Sequence, residues 1–296
     1  MRALALLLSL IAQAPRGAAT FSSRSDLVVL HVSVVDGRAG FVGGLRRDAF
    51  TVHQDGRERP VAFFEHEDTP VSVGLVIDNS QSMGPRRGAV IAAGLAFAES
   101  SHPDDEMFTL NFNERVWPGL PRDRPFTTDR EELRAALSSA GARGQTAMFD
   151  AIDAALRHLD TGSRSRKVLV LISDGGDNAS HARFEDVLDG ALRRDVVIYT
   201  IGLAARNDRE AKPRLLRRLA AVTGGEAFFP EDNDDIGPAL QRVARDIRSS
   251  YTLGFVPEGP RDDRARHRIR VDVRTADRRA LSVRARSLYV TPGDPR

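Results

Sequence analysis

Residues 71–84 read VSVGLVIDNSQSMG: a short, nearly continuous apolar run, Val73 to Ile77, that breaks into Asp78-Asn79-Ser80-Gln81-Ser82. A strand covered on one face alternates apolar and polar residues, whereas a strand covered on both faces is apolar throughout. Val168–Ile172 and Val196–Ile201 repeat the continuous pattern, and Phe108, Leu110 and Phe112 alternate in a fourth segment.

Helical periods lie between these runs. Leu133, Ala136, Leu137 and Ala140 are spaced three and four apart behind Thr128 and Glu131, which have capping-box spacing. Phe149, Ile152, Leu156 and Leu159 keep the same period, as do Phe184, Val187, Leu188, Ala191 and Leu192. Pro213 is placed to open a helix that Gly224 ends, and Pro238 to open another holding Leu240, Val243, Ala244 and Ile247. Strands alternating with helices specify an α/β fold, a doubly wound, mostly parallel, Rossmann-like sheet with helices on both faces.

Outward from that centre the period becomes two. Val28, Leu30, Val32 and Val34 alternate with polar positions such as His31 and Ser33. Phe50-Thr51-Val52 and Val61-Ala62-Phe63-Phe64 follow, with the Asp55-Gly56 turn between them. On the far side Ile269, Val271 and Val273 alternate with Arg268, Arg270 and Asp272, and Leu281, Val283 and Ala285 continue the pattern. Three strands alone form a marginal sheet. Residues 24–68 and 251–290 are therefore expected to join as one β-rich, sandwich-like module of about six strands around the α/β segment 71–250. Two separate small sheets packed on the α/β segment are the alternative.

With 43 basic and 41 acidic residues among 296, the net charge is +2, which supplies no electrostatic case for a nucleic-acid partner. No cysteine is present, so thiolate metal sites, disulfides and cysteine nucleophiles are all excluded. Arg2, the apolar run Ala3–Ala12 and the small residues Gly17, Ala18 and Ala19 have the form of a signal peptide over 1–19. The run is too short for a membrane span, for which about 20 apolar residues are needed. An exported chain, periplasmic or secreted, is expected, with no membrane span in its mature form.

Ligands of open parallel sheets bind beyond the carboxyl ends of the strands. Three loops there are rich in oxygen: Asp78-Asn79-Ser80-Gln81-Ser82, Gly144-Gln145-Thr146-Ala147, and Ser173-Asp174-Gly175-Gly176-Asp177-Asn178. Hydroxyls and carboxylates without histidine suit a hard cation, and a set with few carboxylates leaves room for water, as Mg²⁺ prefers. Taken singly, Asp78, Ser80 or Thr146 would be a helix cap and Asp174-Gly175 a turn. All of them in order, each at a strand end or helix start, point to one metal site.

Asp78-x-Ser80-x-Ser82, Thr146 and Asp174 together resemble the metal-ion-dependent adhesion site (MIDAS) of von Willebrand factor A (VWA) domains, and the likeness extends over 71–250. Asp48-Ala49-Phe50, Thr69-Pro70-Val71 and Ser250-Tyr251-Thr252-Leu253-Gly254-Phe255 resemble a bacterial, VWFA-related group of exported proteins. The resemblance implies that Ser80, Ser82 and Thr146 coordinate Mg²⁺, or Mn²⁺ in its place, directly or through water, with Asp78 and Asp174 completing the shell. It departs at Gln81, where glycine is frequent. It also implies a non-enzymatic, adhesion-type module that takes an Asp or Glu carboxylate of a protein partner.

A metal-dependent hydrolase acting on a phosphate or ester is the rival, and a structural domain with a stabilising metal is a third possibility. The aspartyl-phosphatase pattern needs an aspartate where Ser80 stands, and no nucleophile elbow, P-loop or His-Glu-x-x-His occurs. Asp150 reads as an exposed helix residue, with a supporting role beside the site as the alternative. Asp177 and Asn178 read as turn formers, His158 and His181 as surface residues, and Arg214, Arg217 and Arg218 as a solvated helix face.

Overall fold

The apolar runs form the middle of a six-stranded sheet. A computed structural model describes residues 27–37, 40–66, 68–138, 143–203, 211–258, 265–275 and 280–291, so the expected leader lies outside the described residues. In chain order the strands are β1 (Val28–Asp36), β2 (Phe50–Gln54), β3 (Arg57–Arg59), β4 (Val61–Glu65), β5 (Ser72–Asp78), β6 (Glu106–Phe112) and β7 (Val116–Pro118). They continue as β8 (Lys167–Ser173), β9 (Val196–Gly202), β10 (Ala227–Phe228), β11 (Tyr251–Phe255), β12 (Arg266–Val273), β13 (Leu281–Arg284) and β14 (Leu288–Val290). The helices are α1 (Arg87–Ser100), α2 (Arg130–Ser138), α3 (Met148–Leu159), α4 (Phe184–Arg193), α5 (Pro213–Thr223) and α6 (Ile236–Ser249).

The central sheet runs β10-β9-β8-β5-β6-β7, parallel throughout except for the antiparallel edge strand β7. Val73, Leu75, Ile77, Val168, Val170 and Ile172 face α1 and α6, whereas Val76, Leu169 and Leu171 face the layer of α3, α4 and α5. Burial on both faces is why these strands read as continuous apolar runs.

The flanking strands interleave. One antiparallel sheet has the order β13-β1-β11-β4 and the other β14-β12-β2-β3, so each contains strands from both ends of the chain. Their inner faces share one core that includes Leu30, Val32, Leu253 and Phe255 from the first sheet and Phe50, Val52, Ile269 and Val271 from the second. The two sheets hold eight strands rather than about six, because β3 and β14 are three-residue segments too short to show a period. Asp55 (φ 50°) and Gly56 (φ 81°) both sit at positive φ, which makes the tight two-residue turn of a β2–β3 hairpin. Val61–Glu65, expected after that turn, pairs instead with β11 in the other sheet.

Two helix starts differ from expectation. Asp129, not Thr128, caps α2: its Oδ1 accepts the Glu131 N–H at 2.7 Å and the Glu132 N–H at 3.2 Å. Helix α6 begins at Ile236, two residues before Pro238, because a capping box between Asp232 and Asp235 starts the turn ahead of it.

The sandwich meets the amino-terminal ends of the parallel strands. Arg286 Nη1 pairs with Asp195, just before β9, at 3.1 Å, while its Nη2 donates to the Val29 carbonyl at 2.6 Å. Arg284 Nη2 and the Tyr199 hydroxyl both donate to the buried Asp246 of α6, at 2.6 and 2.9 Å.

Candidate metal centre

At the carboxyl end of β5 the chain turns on Asp78. Its Oδ1 accepts the Ser80 N–H at 2.8 Å, and its Oδ2 accepts the Ser173 hydroxyl at 2.6 Å. Burial pushes the Asp78 carboxyl up to about 6, against the downward pull of bonds from Ser173 and Ser80, and the Asp174 charge adds to the rise. Asn79 anchors the turn from behind, donating to the Asn111 side chain at 2.8 Å and accepting from the Arg87 guanidinium.

Ser80 and Ser82 place their hydroxyl oxygens 3.1 Å apart, and the Ser82 hydroxyl donates to Asp174 Oδ2 at 2.7 Å. The Asp174 loop is held by two short turns: the Gly176 N–H donates to Asp174 Oδ1 at 2.8 Å and the Gly175 N–H to the Ser173 hydroxyl at 3.1 Å. Gly175 has φ +86°, and a Cβ there would stand 3.0 Å from Leu216 and 3.2 Å from the Lys212 carbonyl. Only glycine meets both conditions without strain.

Thr146 reaches the same edge by its backbone. Its N–H donates to Asn178 Oδ1 at 2.9 Å, and its carbonyl accepts from the N–H groups of Asn178 and Ala179. The Gln81 N–H donates to the Gly144 carbonyl at 3.3 Å, joining the Thr146 loop to the serine loop. Side-chain hydrogen bonds thus connect Asp78, Ser173, Ser80, Ser82 and Asp174. Among the described residues none joins the Thr146 hydroxyl to that set.

The capping alternative fails for two residues. Ser80 precedes the 3-10 turn Gln81–Arg86 and makes no side-chain cap bond, and α3 starts from Ala147, with no side-chain cap from Thr146. Neither hydroxyl is used up by its helix. Asp78 and Asp174 do shape turns, yet one oxygen of each also faces a neighbouring loop.

Several supporting residues read differently in the sequence. Ser173, quoted in the third loop without a role, bridges Asp78 to the Gly175 turn. Asp177 forms the turn with Ser180, as expected, and also receives the Phe149 N–H at 2.9 Å, fixing the start of α3. Asp150 is half-buried rather than exposed: it accepts the N–H groups of His181 and Ala182 at 3.1 and 2.8 Å. Those bonds outweigh burial and hold its carboxyl below the usual range. His181 is exposed, but His158 packs against both the Phe108 and Phe126 rings, 4.1 and 5.0 Å between centroids. Asn178, read as a turn former, also holds the Thr146 N–H.

The donor set fits a hard divalent cation. All its atoms are oxygen, three of the five groups are neutral hydroxyls, and no basic side chain forms an ion pair with Asp78 or Asp174 among the described residues. No group of three or more His, Cys, Asp or Glu side chains is placed to hold a metal among the described residues, so these loops do not build a carboxylate cage.

The family model of the von Willebrand factor type A domain matches residues 72–243. Among solved structures, a von Willebrand factor type A protein from Catenulispora acidiphila aligns with TM-score 0.54 at 15% identity, covering 93% of this chain and 76% of that one. Proximal thread matrix protein 1 from the mussel byssus, solved with a zinc-occupied MIDAS motif, aligns with TM-score 0.53 at 17% identity over 67% of this chain and half of that one. No curated protein sequence is a significant match. At these identities the structural likeness establishes the fold.

Proposed function

The chain belongs to the von Willebrand factor type A family, and on that premise we propose that it is an exported, non-enzymatic protein-binding module whose partner supplies an Asp or Glu carboxylate. In this proposal Asp78, Ser80, Ser82, Thr146 and Asp174 hold one Mg²⁺, with Mn²⁺ able to replace it. The observation that carries it is the bonded series Ser80–Ser82–Asp174 across two loops, with a third bringing Thr146 to the same edge and the hydroxyls of Ser80 and Thr146 released from capping. The mussel protein, with zinc at its own MIDAS motif, supports a divalent ion in a fold of this kind.

A divalent cation bound here supplies an electrophilic position for a carboxylate oxygen. The chain's own groups set how strong that position is. Three neutral hydroxyls add no negative charge to the two carboxylates, so the cation keeps more electrophilic character than it would in an all-carboxylate shell. Asp78, nearly fully buried and offset only by hydrogen bonds from Ser80 and Ser173, is the group whose charge most needs a cation. Asn178 and Gly175 orient Thr146 and Asp174 from behind.

The chain divides, in this proposal, into a leader over 1–19, β-rich flanks over 24–68 and 251–290 forming one module, and the VWA segment 71–250. Titration of MgCl₂ and MnCl₂ into wild type and Thr146→Ala tests the site. Fluorescence binding of an aspartate-bearing peptide in Mg²⁺ against EDTA tests the function. Metal-dependent peptide binding that Thr146→Ala weakens is expected. Mg²⁺-dependent turnover of generic phosphatase or esterase substrates, lost in Asp174→Ala, would overturn the binding-module proposal.

A further inference from the structure

Helix α5 runs past the Asp174 loop and exposes Arg214, Arg217 and Arg218, with Lys212 exposed just ahead of it. Its first turn carries no acidic residue, whereas α2, α3 and α4 each carry at least one there. Basic groups at the start of a helix oppose its dipole, so helix stability does not account for them. Arg218 has a structural partner: it pairs with Glu185 at 2.7 Å and lies over the Phe184 ring. Lys212, Arg214 and Arg217 have no carboxylate within ion-pair reach among the described residues.

Two observations put this ridge beside the proposed metal. The Lys212 carbonyl and Leu216 side chain close against Gly175, the residue after Asp174. The Arg217 guanidinium lies 4.2 Å from the centre of the Phe229 ring, which covers Gly202, and Gly202 pairs with Ser173 across β8–β9. Stacking fixes the guanidinium plane while leaving its N–H edge available to a carboxylate. Helical side chains also lean toward the amino-terminal end, which here is the loop edge of the sheet.

We propose that the partner is an acidic peptide segment with at least two carboxylates, one filling the metal position and another lying on the Arg214–Arg217 ridge. The proposal rests on the metal-site reading above for the first carboxylate and on α5 alone for the second. In a chain of net charge +2, Arg214 and Arg217, three positions apart on α5 and without acidic partners among the described residues, present positive charge that an acidic segment complements. The ridge is too short to track a nucleic-acid backbone, which favours a peptide over an extended polyanion.

The test uses two fluorescently labelled peptides, one with a single aspartate in a neutral background and one with several Asp and Glu residues. Each is titrated against the full chain in Mg²⁺ or EDTA, at low and high salt. Arg214→Gln combined with Arg217→Gln is expected to weaken the acidic peptide about tenfold and flatten its salt dependence. The same double variant should leave the single-aspartate peptide and the Mg²⁺-induced rise in melting temperature unchanged. Arg218→Gln should leave the binding of both peptides unchanged, and Arg217→Lys, which keeps the charge but loses the stacked guanidinium edge, should retain only part of the acidic-peptide binding. An acidic peptide that binds the double variant as tightly as wild type, or does not bind wild type at all, overturns the ridge. Equal, Mg²⁺-independent binding of polyphosphate overturns the peptide assignment. Binding unaffected by EDTA but lost in the double variant overturns the metal reading and leaves the ridge standing.

Discussion

The Ser82 hydroxyl donates a 2.7 Å hydrogen bond to Asp174, a residue 92 positions further along the chain. That bond crosses from the loop after β5 to the loop after β8, adjacent parallel strands of the central sheet. A cation bound at these loops would be shared between two connections that the sheet alone keeps in register, so its binding energy adds directly to the folded state.

Mg²⁺ at about a hundred times its dissociation constant should therefore add about 2.7 kcal/mol to the unfolding free energy of wild type. Asp174→Ala removes the acceptor of Ser82 and should abolish most of that gain. The ion-free variant should lose about 1–3 kcal/mol, the scale of the two net hydrogen bonds from Ser82 and Gly176. Thermal melts with and without Mg²⁺ measure both quantities. Equal metal-induced shifts in the two proteins would reject Asp174 as a ligand.

Gly175→Ala should both destabilise the fold and weaken Mg²⁺ binding. The φ of +86° costs an L-residue about 1–2 kcal/mol, and the added methyl meets Leu216 and the Lys212 carbonyl. Displacement of the Asp174 loop follows, since neither neighbour is a free surface group. Calorimetric titration of Mg²⁺ is the readout, and unchanged affinity would show that the loop absorbs the methyl elsewhere.

In the sandwich, the Tyr251 hydroxyl donates to the Val42 carbonyl at 2.7 Å and accepts the Leu45 N–H at 3.0 Å. Tyr251→Phe keeps the ring packed against Phe50 and stacked on His66 while leaving both backbone groups without their partner. A loss of about 1–2 kcal/mol is expected. Urea unfolding should show a lower midpoint with an unchanged slope. An unaltered midpoint would mean water replaces the hydroxyl at no cost.

Glu106 gives the acid limb of stability a specific source. Burial would raise its pKa, but hydrogen bonds from Ser72 at 2.6 Å and from the Ser163 N–H and hydroxyl outweigh burial and hold it below the ordinary glutamate value. A depressed carboxyl contributes stability above the unfolded pKa of about 4.3, and loses it as pH falls through the lower folded value. Glu106→Gln should cost about 1 kcal/mol at neutral pH, with the gap to wild type closing in acid. Urea midpoints across that range measure the gap, and one that widens toward acid would contradict the sign.

Local sequence carried the centre of this fold. Val73–Ile77, Val168–Ile172 and Val196–Ile201 are legible as doubly covered strands because burial on both faces removes every polar position. Pro213 and Gly224 mark the ends of α5 by their own backbone chemistry, and the alternation in β1 and β12 reports one buried face. The oxygen-rich loops are legible for the same reason: they begin where the apolar runs stop, and strand ends are where such a sheet leaves its connections open.

What the tertiary structure alone decided is pairing. Strands β3, β7 and β10 have three, three and two residues, too few for any period, and exist because a neighbouring strand offers them hydrogen bonds. The alternation in Val28–Val34 states that one face is buried but not that β1 lies between β11 and β13, whose sequences begin more than two hundred residues later. Ser173 under Asp78 and Asn178 behind Thr146 were likewise silent, because a hydroxyl or amide has no periodic signature and takes its role only from the group it meets. Periodicity records how much of a segment is hidden from water, a property of the segment itself. Which remote segment hides it, and which polar groups then face each other, is settled by the packing of the whole chain.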